Sequence, residues 1–113
     1  MSRDSATLLD VLRAARLILE FTRDMDRPAF FDDIKTQSAV LHQLLVLGEA
    51  VKRLSGEFRT AHPEIPWGLI AGMRDRLIHG YDAVDLGEVW RTIVHDVPRV
   101  QSFVASLAPG AKG

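Results

Sequence analysis

The sequence of 113 residues contains no cysteine, a single tyrosine and no long apolar run. The missing cysteine excludes disulfides, thiolate metal sites and thiol nucleophiles. A bilayer span needs about 20 apolar residues, and the longest candidate, 40–51, is interrupted by His42, Gln43, Gly48 and Glu49. The first ten residues lack a cationic stretch followed by an apolar one, so we expect no signal peptide, no membrane contact and a cytoplasmic location.

Net charge is also nearly missing. The formal charge is -1 at pH 7, so no global basic field indicates a nucleic-acid-binding protein, and such binding requires a local patch or one assembled by dimerisation. Apolar residues make up 47% and charged residues 26% of the chain, as in ordinary globular proteins. We therefore expect a single domain over 1–108 and a frayed tail over 109–113.

Four segments have the periodicity of amphipathic helices and none has a strand pattern. They are predicted at about 5–23, 34–54, 66–80 and from 85 onward. Asp85 is a suitable N-cap with Glu88 as its capping-box partner, and Pro98 predicts a kink or break in the last helix. The fold class expected is all-α, an up-and-down four-helix bundle.

The second predicted helix is apolar around more of its circumference than one neighbour covers. Its apolar positions include Val40, Leu41, Leu44, Leu45, Val46, Leu47, Ala50, Val51 and Leu54. Such a helix must be covered on two sides. In a domain this small, we expect a second copy of the chain to provide part of that cover, which predicts a homodimer.

The densest polar cluster lies at the end of the third predicted helix, in 73–81 (MRDRLIHGY). The cluster contains Arg74, which can neutralise a phosphate, and His79, which can move a proton. These two groups are sufficient for cleavage of RNA without a metal, because the ribose 2′-hydroxyl of the substrate is the nucleophile. Asp75, four residues before His79, is spaced to accept a hydrogen bond from its ring. The alternative interpretation is structural: cations near a helix C-terminus complement its dipole, and Tyr81 is a half-buried core residue.

The same segment resembles the R-x-x-x-x-H-x-Y signature of the HepT toxins, within the HEPN class of helical domains. The resemblance extends to "LGEAVK" at 47–52, to "HPEIPW" at 62–67 and to "EVW" at 88–90, so it covers about residues 40–100. A bare R-x-x-x-x-H pattern is weak evidence for membership of a family, whereas these segments together, in this order, are specific to it.

The resemblance implies that Arg74 and His79 are the catalytic pair of a metal-independent endoribonuclease toxin with no cofactor. It places Asp75, where the family often has asparagine, in a supporting position. It also implies a homodimer in which Arg74 and Arg76 of both copies form a positive cleft. Tyr81 matches the tyrosine to which a nucleotidyltransferase antitoxin attaches AMP, as in type VII-like toxin–antitoxin pairs.

Two questions stay open at this point. The chain is alternatively a non-catalytic helical module that docks a nucleotidyltransferase and retains the motif for partner contacts. Glu49 is either a buried residue paired with a neighbour such as Lys52 or a support of the active cleft. The spacing of Arg91, His95 and Arg99 fits a phosphate-binding track, but it is more typical of a solvated helix face.

Overall fold

The computed structural model describes residues 3–80 and 84–107. Within them the chain forms seven α-helices and one π-helical turn: α1 (Arg3–Phe21), α2 (Arg27–Phe31), α3 (Ile34–Arg53), α4 (Gly56–Ala61), α5 (Trp67–His79), α6 (Leu86–Arg91), the π-helical turn (Thr92–Asp96) and α7 (Val97–Leu107). No helix in this part of the chain is long and apolar enough to cross a membrane. The tail predicted over 109–113 lies outside the described residues.

The all-α bundle is confirmed, and α3 lies in its middle. It packs against α1 on one side and α5 on the other, while α7 packs against α1. The fully buried side chains come from each of these long helices and form one continuous core that includes Val11, Ile18, Val40, Leu44, Leu47, Val51, Ile70, Val97, Val100 and Val104. Because α5 is held against α3 by this core, the motif it carries is placed relative to α3 with little freedom.

The position of α3 changes the interpretation of its apolar surface. All but two of the apolar residues that favoured a second copy are buried within the chain itself, between α1 and α5. The exceptions are Leu45, which is partly buried, and Val46, which is 38% exposed. The two-sided cover was predicted correctly, but most of it comes from the same chain.

Side-chain caps fix where several helices begin. Asp26, Asp33 and Ser55 each accept a hydrogen bond from the backbone N–H three residues later, at the starts of α2, α3 and α4. Asp85 caps α6 as predicted, but its carboxylate accepts from the N–H of Gly87 at 2.8 Å. The predicted capping box with Glu88 is therefore not the arrangement present, since the Glu88 carboxylate bonds to Arg76 instead.

Two further differences follow from local chemistry. The loop predicted between the second and third long helices contains the short helix α4, because Ser55 caps it with its own hydroxyl oxygen, 3.1 Å from Phe58 N. The break expected at Pro98 is replaced by the π-helical turn directly before it, in which Val97 N–H donates to Thr92 O. A π-helical turn accommodates an interrupted α-helical hydrogen-bond pattern without ending the helix.

Candidate functional site

Helix α5 carries both members of the predicted catalytic pair. Arg74 lies in its second half, and His79 is its last residue, with an exposed side chain. A separation of five residues on a regular helix corresponds to about 7.5 Å of rise and about 140° of rotation. Gly80 ends the helix with φ of 143°, a backbone conformation that glycine adopts without strain. His79 thus lies at the helix end, where its ring is open to solvent.

Arg74 is fixed by two carboxylates. Its Nη2 lies 2.7 Å from Glu49 Oε2 on α3, and its Nη1 lies 3.0 Å from Asp75 Oδ1 beside it on α5. Only 24% of the Arg74 side chain is exposed. The Asp75 carboxylate, with a smaller contribution from Glu49, raises the pKa of Arg74 against the opposing effect of burial. The guanidinium is therefore permanently charged and held in one plane at the surface of α5.

Gly48 makes room for the Arg74 side chain. A Cβ atom at position 48 would lie 2.3 Å from Arg74 Cβ and 3.1 Å from the backbone oxygen of Ile70. Real Cβ atoms do not approach other atoms so closely, so only glycine permits this distance between α3 and α5. Sequence reasoning noted Gly48 as part of a resemblance but did not assign it this role, and no spacing rule along α3 would have revealed it.

Asp75 does not make the contact predicted from its spacing. Its Oδ1 lies 2.9 Å from Lys52 Nζ and 3.0 Å from Arg74 Nη1, and none of its hydrogen bonds within the described residues goes to His79. The Asp75 carboxylate pairs with the full positive charges of Lys52 and Arg74 in preference to the His79 imidazole, because a pair at i and i+4 on a helix contributes only a few tenths of a kcal/mol. Lys52, and then Arg74, lower the pKa of Asp75, so its carboxylate stays ionised until the pH falls through that lowered value.

Arg76 is also engaged within the chain. Its Nη2 donates to Glu88 on α6 and lies 3.8 Å from Met73 Sδ. The ion pair joins the end of α5 to the start of α6, on either side of residues 81–83. Its charge is thus offset by a carboxylate, whereas the sequence interpretation had it available for a positive cleft. Tyr81, the predicted modification site, lies outside the described residues.

An open groove of about 460 Å³ runs from Arg74 along α3 towards α1. Its apolar lining comes from Ala14 on α1, Leu45 and Val46 on α3, and Ile78 on α5. Val46 is 38% and Ile78 57% exposed. Its remaining lining is polar or charged, including Glu49 beside Arg74. An apolar surface therefore continues directly from the candidate site.

The other polar groups weighed in the sequence do not join this site. His95 lies in the π-helical turn, between Arg91 on α6 and Arg99 on α7, so steps of four along this stretch no longer mark one α-helical face. The Arg91 guanidinium lies 4.0 Å from Glu88. Among residues 3–80 and 84–107, no group of three or more histidine, aspartate or glutamate side chains is arranged to hold a metal ion.

Comparison with known proteins places the chain in a family. The model of the ribonuclease HepT-like family matches residues 11–107. The chain belongs to that family. It is 45% identical over 100 residues to a probable ribonuclease HepT of Thermococcus cleftensis, covering 88% of this chain and 91% of that protein. It is also 41% identical over 93 residues to a putative RNase of Methanocaldococcus jannaschii, covering 82% and 77%.

A third relative is also described as an RNase. The chain is 35% identical over 97 residues to a putative RNase of Caldanaerobacter subterraneus, covering 86% of this chain and 87% of that protein. No solved structure matches the chain. The family predicted from the segments at 47–52, 62–67 and 73–81 is thus confirmed.

The Gly48 contact predicts opposite effects for two glycine-to-alanine substitutions. Gly48→Ala should destabilise the protein by about 1–3 kcal/mol, because the new methyl group forces α3 and α5 apart at Arg74. Gly72→Ala, within α5, meets no atom within 4 Å and should stabilise the helix by up to about 1 kcal/mol. Urea unfolding followed by circular dichroism measures both. Equal free energies of unfolding for the two variants would show that Gly48 is not needed for close packing.

Proposed function

We propose that the protein is a metal-independent endoribonuclease toxin with Arg74 and His79 as its catalytic residues. The observation that carries the proposal is that a chain of the ribonuclease HepT-like family holds the Arg74 guanidinium in a fixed plane on the helix that ends at His79. The named relatives are described as ribonucleases, which supports an RNA substrate.

The proposed chemistry uses the substrate's own nucleophile. His79 removes the proton from a ribose 2′-hydroxyl, which attacks the adjacent phosphorus while the bond to the 5′-oxygen of the next nucleotide breaks. Arg74 donates hydrogen bonds to the phosphate oxygens, where negative charge accumulates in the transition state. The departing 5′-oxygen takes up a proton from the protonated His79 or from water, so the products are one fragment ending in a 2′,3′-cyclic phosphate and one beginning with a 5′-hydroxyl.

One observation favours the alternative of a non-catalytic module that docks a nucleotidyltransferase. Arg74 and Arg76 are both paired with carboxylates of the same chain, so neither is an uncompensated charge waiting for phosphate. Of its five N–H donors, however, Arg74 uses one at Nη1 and one at Nη2 for the carboxylates. The remaining donors are sufficient for phosphate contact, and we therefore favour the enzyme.

Catalytic substitutions separate these two functions. His79→Ala and Arg74→Ala should each abolish cleavage of single-stranded RNA in buffer with chelator, while Arg74→Lys should retain a small part because the charge remains but the planar fork is lost. His42→Ala, at an exposed position of α3, is the matched control and should cleave as wild type does. Wild-type protein that cleaves no RNA would favour the docking module, and loss of cleavage on adding chelator would contradict a metal-free mechanism.

The groove beside Arg74 supports a homodimer. A two-fold axis through its apolar lining would place Leu45, Val46 and Ile78 of two copies against one another and bring the two Arg74 side chains to a shared cleft. Because these side chains lie on the face that carries Arg74, covering them would also shield the site from bulk water.

The dimer is tested by molar mass. Light scattering of the wild-type chain at micromolar concentration should give twice the mass of 12.6 kDa. Val46→Glu should give the monomer mass, because it places a charged group, which is costly to remove from water, among the apolar side chains of the proposed interface. Leu69→Glu, 68% exposed on α5 and not part of the groove lining, should remain a dimer. A monomeric wild type would contradict the proposal, and a dimeric Val46→Glu would place the interface elsewhere.

We also propose that a nucleotidyltransferase antitoxin silences the protein by attaching AMP to Tyr81. Tyr81 follows Gly80, two residues after His79, and the Arg76–Glu88 ion pair joins the helices on either side of it. The phosphate of the attached AMP would compete with RNA for the Arg74 guanidinium, and the adenosine would obstruct access. The toxin–antitoxin pairing rests on this step.

Intact mass after co-expression tests the modification. Wild-type protein expressed with a candidate nucleotidyltransferase should gain one or more AMP-sized increments and lose RNA cleavage. Tyr81→Phe should cleave RNA as well as wild type, because the phenolic hydroxyl transfers no proton in the proposed reaction, and should gain no mass. An increment that persists in Tyr81→Phe would locate the modification at another residue. Neutralisation with no increment on wild type would indicate inhibition by binding alone.

A further inference from the structure

One turn of α3 holds Arg74 from two directions. Glu49 bonds to it directly, at 2.7 Å, and Lys52 acts through Asp75, whose Oδ1 is 2.9 Å from Lys52 Nζ and 3.0 Å from Arg74 Nη1. One residue before Glu49, Gly48 lets the Arg74 side chain lie directly on the α3 backbone. Helix α5 supplies the guanidinium, and residues of α3 hold its orientation, either directly or through Asp75.

We propose that Glu49 and Lys52 are positioning residues for Arg74. They hold the guanidinium in the orientation that meets the scissile phosphate, Glu49 by a direct hydrogen bond and Lys52 through Asp75. The proposal rests on the proposed ribonuclease function and extends it to residues outside the R-x-x-x-x-H segment. Neither residue transfers a proton.

The exposure of these groups indicates that the network does little for folding. The side chains of Glu49, Lys52 and Asp75 are 47%, 41% and 49% exposed. Ion pairs between groups this exposed contribute between nothing and about 1 kcal/mol to stability. Two hydrogen bonds to one planar fork nevertheless fix its orientation, because a guanidinium held at both Nη atoms cannot rotate without breaking one of them. Orientation is therefore the property that the network controls.

The network also offsets the charge that it positions. Glu49 and Asp75 carry two negative charges, and Arg74 and Lys52 carry two positive ones, so the cluster is neutral at pH 7. An approaching phosphate therefore meets the Arg74 donors together with the repulsion of Glu49. Removing the Glu49 charge should strengthen RNA binding, which lowers KM, while loosening the guanidinium, which lowers kcat, so both kinetic constants should fall. A merely structural role would reduce the amount of active protein and leave KM unchanged.

Steady-state cleavage of single-stranded RNA tests this split. Glu49→Gln should lower kcat about tenfold to a hundredfold, the loss typical of a misplaced catalytic group, and should also lower KM. Lys52→Met should lower kcat but raise KM, because it removes a positive charge. Glu20→Gln is the control: it removes an exposed ion pair with Arg23 at the C-terminal end of α1 and should change neither kcat nor KM. An unchanged kcat in Glu49→Gln would overturn the proposal.

A spectroscopic readout keeps the proposal testable if the protein cleaves no RNA. In protein labelled with ¹⁵N-arginine, the Arg74 side-chain signals are assigned by their absence in Arg74→Lys. Wild type should show separate Nη proton signals, because bonds to Glu49 and Asp75 slow rotation, and Glu49→Gln should merge or broaden them. Changed signals without any wild-type cleavage would support the positioning network and contradict the ribonuclease. Identical signals in wild type and Glu49→Gln would overturn the network, whatever the activity.

Discussion

The close approach of α3 and α5 at Gly48 is the constraint on which the site depends. Any larger residue there would collide with Arg74 Cβ at 2.3 Å, so the distance between the helices and the position of Arg74 are set by the same contact. The buried residues of both helices keep them at this distance, since interiors packed to crystal density resist small displacements. The same turn of α3 then supplies the carboxylate and the ammonium group that act on Arg74.

The other helices of the bundle hold α3 and α5 in place without contributing residues to the contact at Gly48. Helix α1 covers the other side of α3, and Arg53, one residue after Lys52, bonds to Asp10 on α1 at 3.1 Å. Helix α3 is therefore connected to both neighbouring helices by three polar residues near its C-terminal end, Glu49, Lys52 and Arg53. Arg76, near the end of α5, forms an ion pair with Glu88 on α6. His79 thus lies at a helix end that the Arg76–Glu88 ion pair joins to the start of α6.

The sequence predicted the elements and the motif but not the partners of the charged residues. Periodicity and caps revealed the long helices, and R-x-x-x-x-H placed Arg74 and His79 on α5. Spacing along a single helix suggested that Asp75 bonds to His79, whereas its cation partners include Lys52, 23 residues away. Arg76 likewise bonds to Glu88, 12 residues away. Such pairs depend on how helices pack, and a pattern within one helix contains no information about that. The role of Gly48 is hidden for the same reason.

We propose that Arg74 and His79 cleave RNA by activating the ribose 2′-hydroxyl. The most direct measurement uses one RNA oligonucleotide whose cleavage site has been mapped, and a second in which only the nucleotide 5′ of that site carries a 2′-deoxyribose. Mass spectrometry of the products should show a 2′,3′-cyclic phosphate from the first oligonucleotide and no cleavage at that site in the second. Cleavage of the deoxy-substituted site at a similar rate would contradict the account, because the nucleophile would then have to come from water or from the protein.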